Sequence, residues 1–177
     1  MDRIFVYEPI YYDGGIMKVS LRKMDQEEYD VFYQRSFEHH VRELILEEKM
    51  PEKTADKETT EELRAMLPEG LNTENNYLMT IFDEKEEPVG FIWTLHEYFE
   101  DIKQSFLCDF EIYEKARRKG YASESLKQME KDAKKAGCRE SVLFVADENA
   151  AAVALYEKCG YVAFREFNYG KYMKKTL

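Results

Sequence analysis

Apolar residues recur along this chain with two different periods, and the switches between them mark out its elements. Lys18 to Lys23 alternates and predicts a first strand. From Asp25 the period lengthens. Tyr29, Tyr33, Phe37, Val41 and Leu44 then share one face of a helix that should run to about Lys49 and stop near Pro51. A second helix is expected from Thr59, where Thr59-x-x-Glu62 has the form of a capping box, through Leu63, Met66 and Leu67 to the stop at Pro68-Glu69-Gly70. Tyr77–Phe82 and Val89–Leu95 read as strands joined across the polar Asp83–Pro88 turn, a hairpin. A strand over 106–113 follows, then a helix from about Gly120 to Ala136, a strand Ser141–Val145 and a helix Asn149–Lys158. Two last strands are expected near Tyr161–Phe164 and Phe167–Met173. Helices between strands, with hairpins at both ends, predict an α/β or α+β fold around a sheet of mixed direction. Residues 1–16 stand apart. They are aromatic-rich, end in Asp13-Gly14-Gly15, and read as an N-terminal extension or an extra strand, with 17–177 as one domain.

Composition narrows the function classes. The chain has 177 residues, enough for one domain with its own core, and its 44% hydrophobic and 35% charged residues suit a globular protein. Its 26 basic and 36 acidic side chains give a net charge of −10, which argues against a general nucleic-acid binder. An acidic surface favours cationic partners such as amines, though it also serves plain solubility. No apolar run is long enough to cross a bilayer, and the N-terminus lacks a basic leader with an apolar core, so a cytoplasmic location without a membrane partner is expected. Cys108, Cys138 and Cys159 show no paired spacing and read as free, buried thiols; the histidines show no metal-ligand spacing, so no metal is expected.

The stretch with the most chemistry is Arg117-Arg118-Lys119-Gly120-Tyr121-Ala122-Ser123, placed between the 106–113 strand and the start of a helix. A strand, a basic glycine turn and a helix start together form a cradle for phosphate. Unpaired N–H groups and the positive end of the helix dipole converge there, and a residue without Cβ lets an anion approach the main chain. No Rossmann glycine set and no GK[ST] accompanies it. About thirty residues further on comes Asn149-Ala150-Ala151-Ala152-Val153-Ala154-Leu155-Tyr156-Glu157-Lys158-Cys159-Gly160-Tyr161.

With these two motifs the chain resembles the GCN5-related N-acetyltransferase (GNAT) superfamily. The family's [QR]-x-x-G-x-[GA] signature is matched by Arg117, Gly120 and Ala122. Its later N-x-x-A-x-x-L-Y-x-x-x-G-[FY] motif is matched by Asn149, Ala152, Leu155, Tyr156, Gly160 and Tyr161. The run Asp109-Phe110-x-x-Tyr113-Glu114 is similar to that of a bacterial subgroup of undefined substrate. The resemblance implies the GNAT fold, a mixed central sheet of about seven strands flanked by about four helices. It also implies acetyl-CoA as cosubstrate without a metal, and transfer of the acetyl group to a primary amine on a small molecule or peptide. Main chain at Phe110, Glu111 and Ile112 would pair with the pantetheine arm. The turn Arg118 to Ser123, with Lys119, Gly120, Tyr121 and Ala122 inside it and Arg117 before it, would wrap the pyrophosphate. Asn149 would hold the pantetheine, and Tyr156 would protonate the departing thiolate.

The residues agree with part of this. Asn149 and Tyr156 lie two helical turns apart, on one face and about 10 Å from each other. A phenol near pKa ~10 can protonate a thiolate whose acid has pKa ~8.5 only in a partly desolvated site. Asp109 and Glu111 are two apart on a strand, facing one side roughly 7 Å from each other, and either could take the proton from the attacking ammonium or orient the substrate. Some GNAT enzymes carry a glutamate on the next strand, where this chain has Phe144. An alternative is therefore a GNAT-fold module that holds coenzyme A without turnover. Cys159 is expected to be a small buried residue rather than a nucleophile. His39 and His40 are expected on the first helix and Trp93 in core or pocket wall, while the 1–16 segment would suit a homodimer contact.

Overall fold

In the computed structural model, which describes residues 19–47 and 49–177, seven strands form one mixed sheet with helices on both faces. The elements are β1 (Val19–Lys23), α1 (Gln26–Glu47), α2 (Glu52–Met66), β2 (Asn76–Asp83), β3 (Pro88–Phe99), β4 (Ile102–Ile112), α3 (Tyr121–Lys135), β5 (Glu140–Ala146), α4 (Ala150–Lys158), β6 (Val162–Phe167) and β7 (Gly170–Thr176). The sheet order is β1-β2-β3-β4-β5-β7-β6, antiparallel throughout except for β4 beside β5. The 1–16 segment and Lys18, the expected first residue of β1, lie outside the described residues.

The two sheet faces bury separate cores. Ile81, Ile92, Leu107, Leu143 and Met173 pack against Leu126 and Met129 of α3, with Val153 and Tyr156 of α4 against the same side. Leu78, Phe91 and Trp93 pack on the other face against Phe32 of α1 and Leu63 of α2. The buried centre of α1 is Phe32 and Ser36, with Tyr29, Tyr33 and Phe37 on its half-buried flank.

The second helix starts earlier than its pattern predicts. Pro51, with φ of −61°, opens α2, and Thr59 lies in its middle, fully buried, so Thr59-x-x-Glu62 caps nothing. A proline preset for the first turn needs no side-chain cap, and the mostly polar residues before Thr59 form a solvated face that hides the helical period. β3 and β4 also run further than expected. They meet across Glu100 and Asp101, both at positive φ (47° and 63°), as the two-residue turns that match strand twist require.

β4 carries the decisive irregularity. Trp93 of β3 faces Asp109, but Thr94 faces Leu107, so Cys108 is an extra residue, a β-bulge. Ser105 and Leu107 point to the α3 side. Without the bulge Asp109 and Glu111 would follow them. Instead Phe110 and Ile112 take that side, while Asp109, Glu111 and Tyr113 turn to α1. β4 pairs with β5 only from Gln104–Glu140 to Leu107–Leu143, although β5 stays bonded to β7 as far as Ala146. From the bulge onward the β5-facing edge of β4 has no partner strand.

Gly90 of β3 pairs with Ile112, and a Cβ there would collide with the Glu111 carbonyl oxygen. Gly90→Ala is therefore expected to displace β4 and lower stability by about 2 kcal/mol or more, read from urea unfolding. His96 makes a second prediction. Its ring is buried against Tyr77 (centroids 4.2 Å apart), its Nδ1 has no partner, and burial, aided by Lys103, pushes its pKa down to about 4. The unfolded chain takes up this proton below pH ~6.5 and the folded one only near 4, so stability should fall as pH drops through that window, by on the order of 2 kcal/mol. Unfolding of His96→Phe across the same pH range should show a flatter loss.

Candidate active site

The opening between β4 and β5 is flanked by two helix starts. On one side Ile112 leads through a short turn to Gly120, which has φ of +90° and stands as the N-cap of α3. Arg118 is also left-handed, with φ of +63°. The first-turn amides of α3 thus end at a bare backbone corner beside Arg117, Arg118 and Lys119, whose side chains are exposed. Arg117 Nε donates to the Ile112 carbonyl at 2.9 Å, which ties the turn to the end of β4. The Tyr121 side chain enters the core and its hydroxyl donates to Glu84 Oε2 at 3.3 Å, so of Tyr121 only the main chain faces the turn. Gly120 and Ser123 border a cavity of about 370 Å³ between α3 and the end of α4, with Lys127, Lys158 and Lys175 around it and Cys159 in its wall.

On the other side, Asn149 caps α4 by accepting from the Ala152 N–H at 3.2 Å. Tyr156, two turns later, is buried with its ring 5.8 Å from that of Tyr161. Asn149, Ala152 and Tyr156 share a second cavity, of about 300 Å³, with Asp109 and Phe110 of β4 and Phe144 to Ala146 of β5. The Phe110 and Ile112 side chains pack towards the core, so what these residues offer to the opening is their backbone. Phe144 forms an aromatic wall, packed on Tyr172 with centroids 5.2 Å apart. Trp93 is buried in the same wall, its Nε1 donating to Asn76 Oδ1 at 2.7 Å.

The two β4 carboxylates differ sharply. Asp109 is deep in the cavity. Ser36 Oγ donates to one oxygen and the Phe110 N–H to the other at 2.7 Å. Burial nonetheless raises its pKa above the usual carboxylate range. Glu111 is held by Arg35, whose Nε donates to Oε2 at 2.9 Å and whose second nitrogen bonds Oε1, with Arg117 3.9 Å from the same oxygen. Tyr156 has its pKa raised, first by burial and then by the negative charge of Asp109, which places phenol and carboxylate in one electrostatic environment.

The acceptor side was only faintly visible in the sequence. Ser36, His40 and Glu43 recur at i, i+4 and i+7, a polar stripe beside the apolar one, and they line the second cavity with His39 and with Glu62, Leu63 and Met66 of α2. His40 Nε2 bonds Glu62 Oε2 at 2.6 Å and its Nδ1 lies 3.6 Å from Glu43, which raises the His40 pKa to about 9. The spacing of this stripe was the available signal; its pairing with β4 and α2 was not. Cys108, Cys138 and Cys159 are free thiols, and no cluster of metal-ligating side chains occurs among the described residues.

The acetyltransferase (GNAT) family pattern matches residues 25–161. Two relatives from Bacillus subtilis (strain 168) are named as uncharacterized N-acetyltransferases. YdgE is 29% identical over 145 residues, covering 82% of this chain and 92% of its own. YycN is 28% identical, covering 82% and 93%. The crystal structure of YycN superposes with a TM-score of 0.76 over 85% of this chain and 94% of its own. A spermidine N-acetyltransferase from Vibrio cholerae, solved with CoA and spermine, shares the fold at 18% identity, with a TM-score of 0.65 over 90% and 95% of the two chains. The parted strands, the left-handed glycine turn and the Asn149–Tyr156 helix thus sit in a chain that belongs to the acetyltransferase (GNAT) family.

Proposed function

We propose that this acetyltransferase moves an acetyl group from acetyl-CoA to a primary amine by direct attack within a ternary complex. The observation that carries this reading is the meeting of the buried Asp109 and Tyr156 in one cavity where β4 and β5 part. The donor half fits coenzyme A. The β5-facing edge of β4 from Phe110 through Glu111 to Ile112 has no partner strand and offers main-chain groups to the amides of a pantetheine arm, and Asn149 stands opposite. The arm would exchange with the side-chain bonds now made by the Phe110 N–H and the Ile112 carbonyl. The amides of 121–123 and the basic residues Arg117, Arg118 and Lys119 suit a pyrophosphate, with the lysine-lined cavity of Lys127, Lys158 and Lys175 beside them. An amine acceptor is in keeping with the V. cholerae enzyme of the same fold, whose acceptor is spermidine.

The proton inventory follows from the two pKa shifts. An ammonium cannot attack, so Asp109 takes its proton, and its raised pKa brings it closer to the amine's in basicity than an ordinary carboxylate. The amine nitrogen forms the new C–N bond, the C–S bond breaks, Tyr156 gives its proton to the sulfur, and the further proton that the nitrogen loses as the amide forms returns to the Tyr156 phenolate. A buried phenol is a weak acid. Two effects offset this. The thiolate leaves into the same desolvated site, which raises its proton affinity too, and once Asp109 is protonated the negative charge that held the phenol's pKa up is gone. Uptake of the first proton thereby eases release of the second. Glu111, with both oxygens taken by Arg35, holds α1 against β4 in this reading rather than acting as the base.

Tyr156→Phe is expected to lower kcat on the order of 10²-fold while the acetyl-CoA Kd moves by less than about threefold, measured by thiol release and by calorimetry. Unchanged turnover would remove Tyr156 as the acid. For the wild type, kcat/KM for the amine should fall as pH drops through the raised pKa of Asp109, because the protonated carboxyl accepts nothing. Asp109→Asn should be slower at every pH and lack that acidic limb. Acetyl-CoA binding without thiol release across a broad amine panel would point instead to a coenzyme-A-binding module.

A further inference from the structure

The cavity that holds Asp109 is charged at both ends and apolar between them. At the inner end Ser36 of α1 touches Asp109. At the outer end Glu43 of α1 and Glu62 of α2 converge on His40. Ser36 and Glu43 are seven residues apart on one helix face, so the ends are separated by about 10 Å along α1. Between them the wall is Leu63, Met66, Trp93 and Phe106. No lysine or arginine lines this cavity among the described residues. A ligand with a carboxylate would find no fixed cationic partner there except the two histidines, and His40 is already engaged by carboxylates.

Carboxylate, apolar slot and paired carboxylates describe the mould of a molecule with two cationic ends and a methylene spacer. We propose that the acceptor is an aliphatic diamine, whose reacting amine sits beside Asp109 and whose distal ammonium is bound by Glu43 and Glu62. The inference rests on the reading of this cavity as the acceptor site. In the free protein the His40 imidazolium occupies the distal position, 2.6 Å from Glu62. An arriving ammonium replaces one cation with another, so the two carboxylates are never left uncompensated. The exchange is cheap, because the His40 and Glu62 side chains are 41% and 57% exposed, and ion pairs this open to water contribute little to stability. His39 Nε2 also lies 3.5 Å from Glu43, so the two carboxylates at the mouth face imidazole rings alone, with no lysine or arginine fixed against them among the described residues.

The test compares a 1,n-diamine with the n-alkyl monoamine of equal chain length. The wild type should favour the diamine by about threefold to fivefold in kcat/KM, the scale of an ion pair open to water. The Glu43→Gln/Glu62→Gln double variant should bring the ratio close to one. His40→Ala removes the bridge between α1 and α2 but leaves both carboxylates, and should keep or raise the ratio. Equal use of the two amines by the wild type overturns the proposal, and so does a ratio that collapses in His40→Ala, which would make the bridge structural. If neither amine is turned over, calorimetry on the CoA-loaded protein decides separately. Saturable diamine binding that is lost in the double variant supports the distal site even where the transfer chemistry fails, and no binding overturns it.

Discussion

The parting of β4 from β5 is the constraint on which the rest of this molecule depends. A parallel pair inside a sheet ordinarily keeps its ladder, because unpaired main-chain groups are costly when removed from water. Here the ladder stops at Leu107 and Leu143, and each strand stays paired with its other neighbour, β3 for β4 and β7 for β5. The extra residue at Cys108 goes with the parting, since a bulge strengthens local twist and bends its strand. The same residue reverses which side chains face which layer. One insertion thus goes with an opening between two strands and turns Asp109 into the cavity under α1.

Electrostatics then joins the two halves. Asp109 is bonded to α1 through Ser36 and is felt by Tyr156 of α4. Glu111 is gripped by Arg35 of α1 and lies near Arg117, the first basic residue of the α3 turn. Arg35 also lies over the Tyr113 ring, 5.1 Å from its centroid. A chain of charged contacts therefore runs from the acceptor helix across β4 to the phosphate turn. Buried charges at one place and satisfied ion pairs at the next are what a site requires when one carboxylate must exchange a proton and its neighbour must not.

Much of this was legible in the sequence, and the remainder has physical causes. Strands and helices with a clean period were placed to within a few residues. The two motifs were readable because what they fix is backbone: a left-handed turn takes Gly120, and the start of α4 takes a cap, Asn149. α2 was misplaced because Pro51 starts it without a side-chain cap. The wider extent of β3 and β4 was missed because Glu100 and Asp101 adopt left-handed φ without glycine or asparagine to announce it. The acceptor wall was nearly silent because each of its polar residues finds its partner far along the chain: Arg35 meets Glu111, Ser36 meets Asp109 and His40 meets Glu62. Periodicity reports which residues share a face, and says nothing of what that face meets.

The division into layers has an evolutionary side. The groups proposed for the donor lie on β4, β5 and the starts of α3 and α4, much of them main chain. The wall proposed for the acceptor is a separate pair of helices, α1 and α2, laid over the opposite face and joined to the β4 end by Ser36 with Asp109, Arg35 with Glu111 and an apolar cluster that includes Cys108 and Tyr113. Under the proposed function, substitutions at the outer turns of those helices would redraw the substrate and leave the groups that hold the cosubstrate in place. A lineage built on this plan can diversify in what it acetylates while the donor half of the molecule stands still.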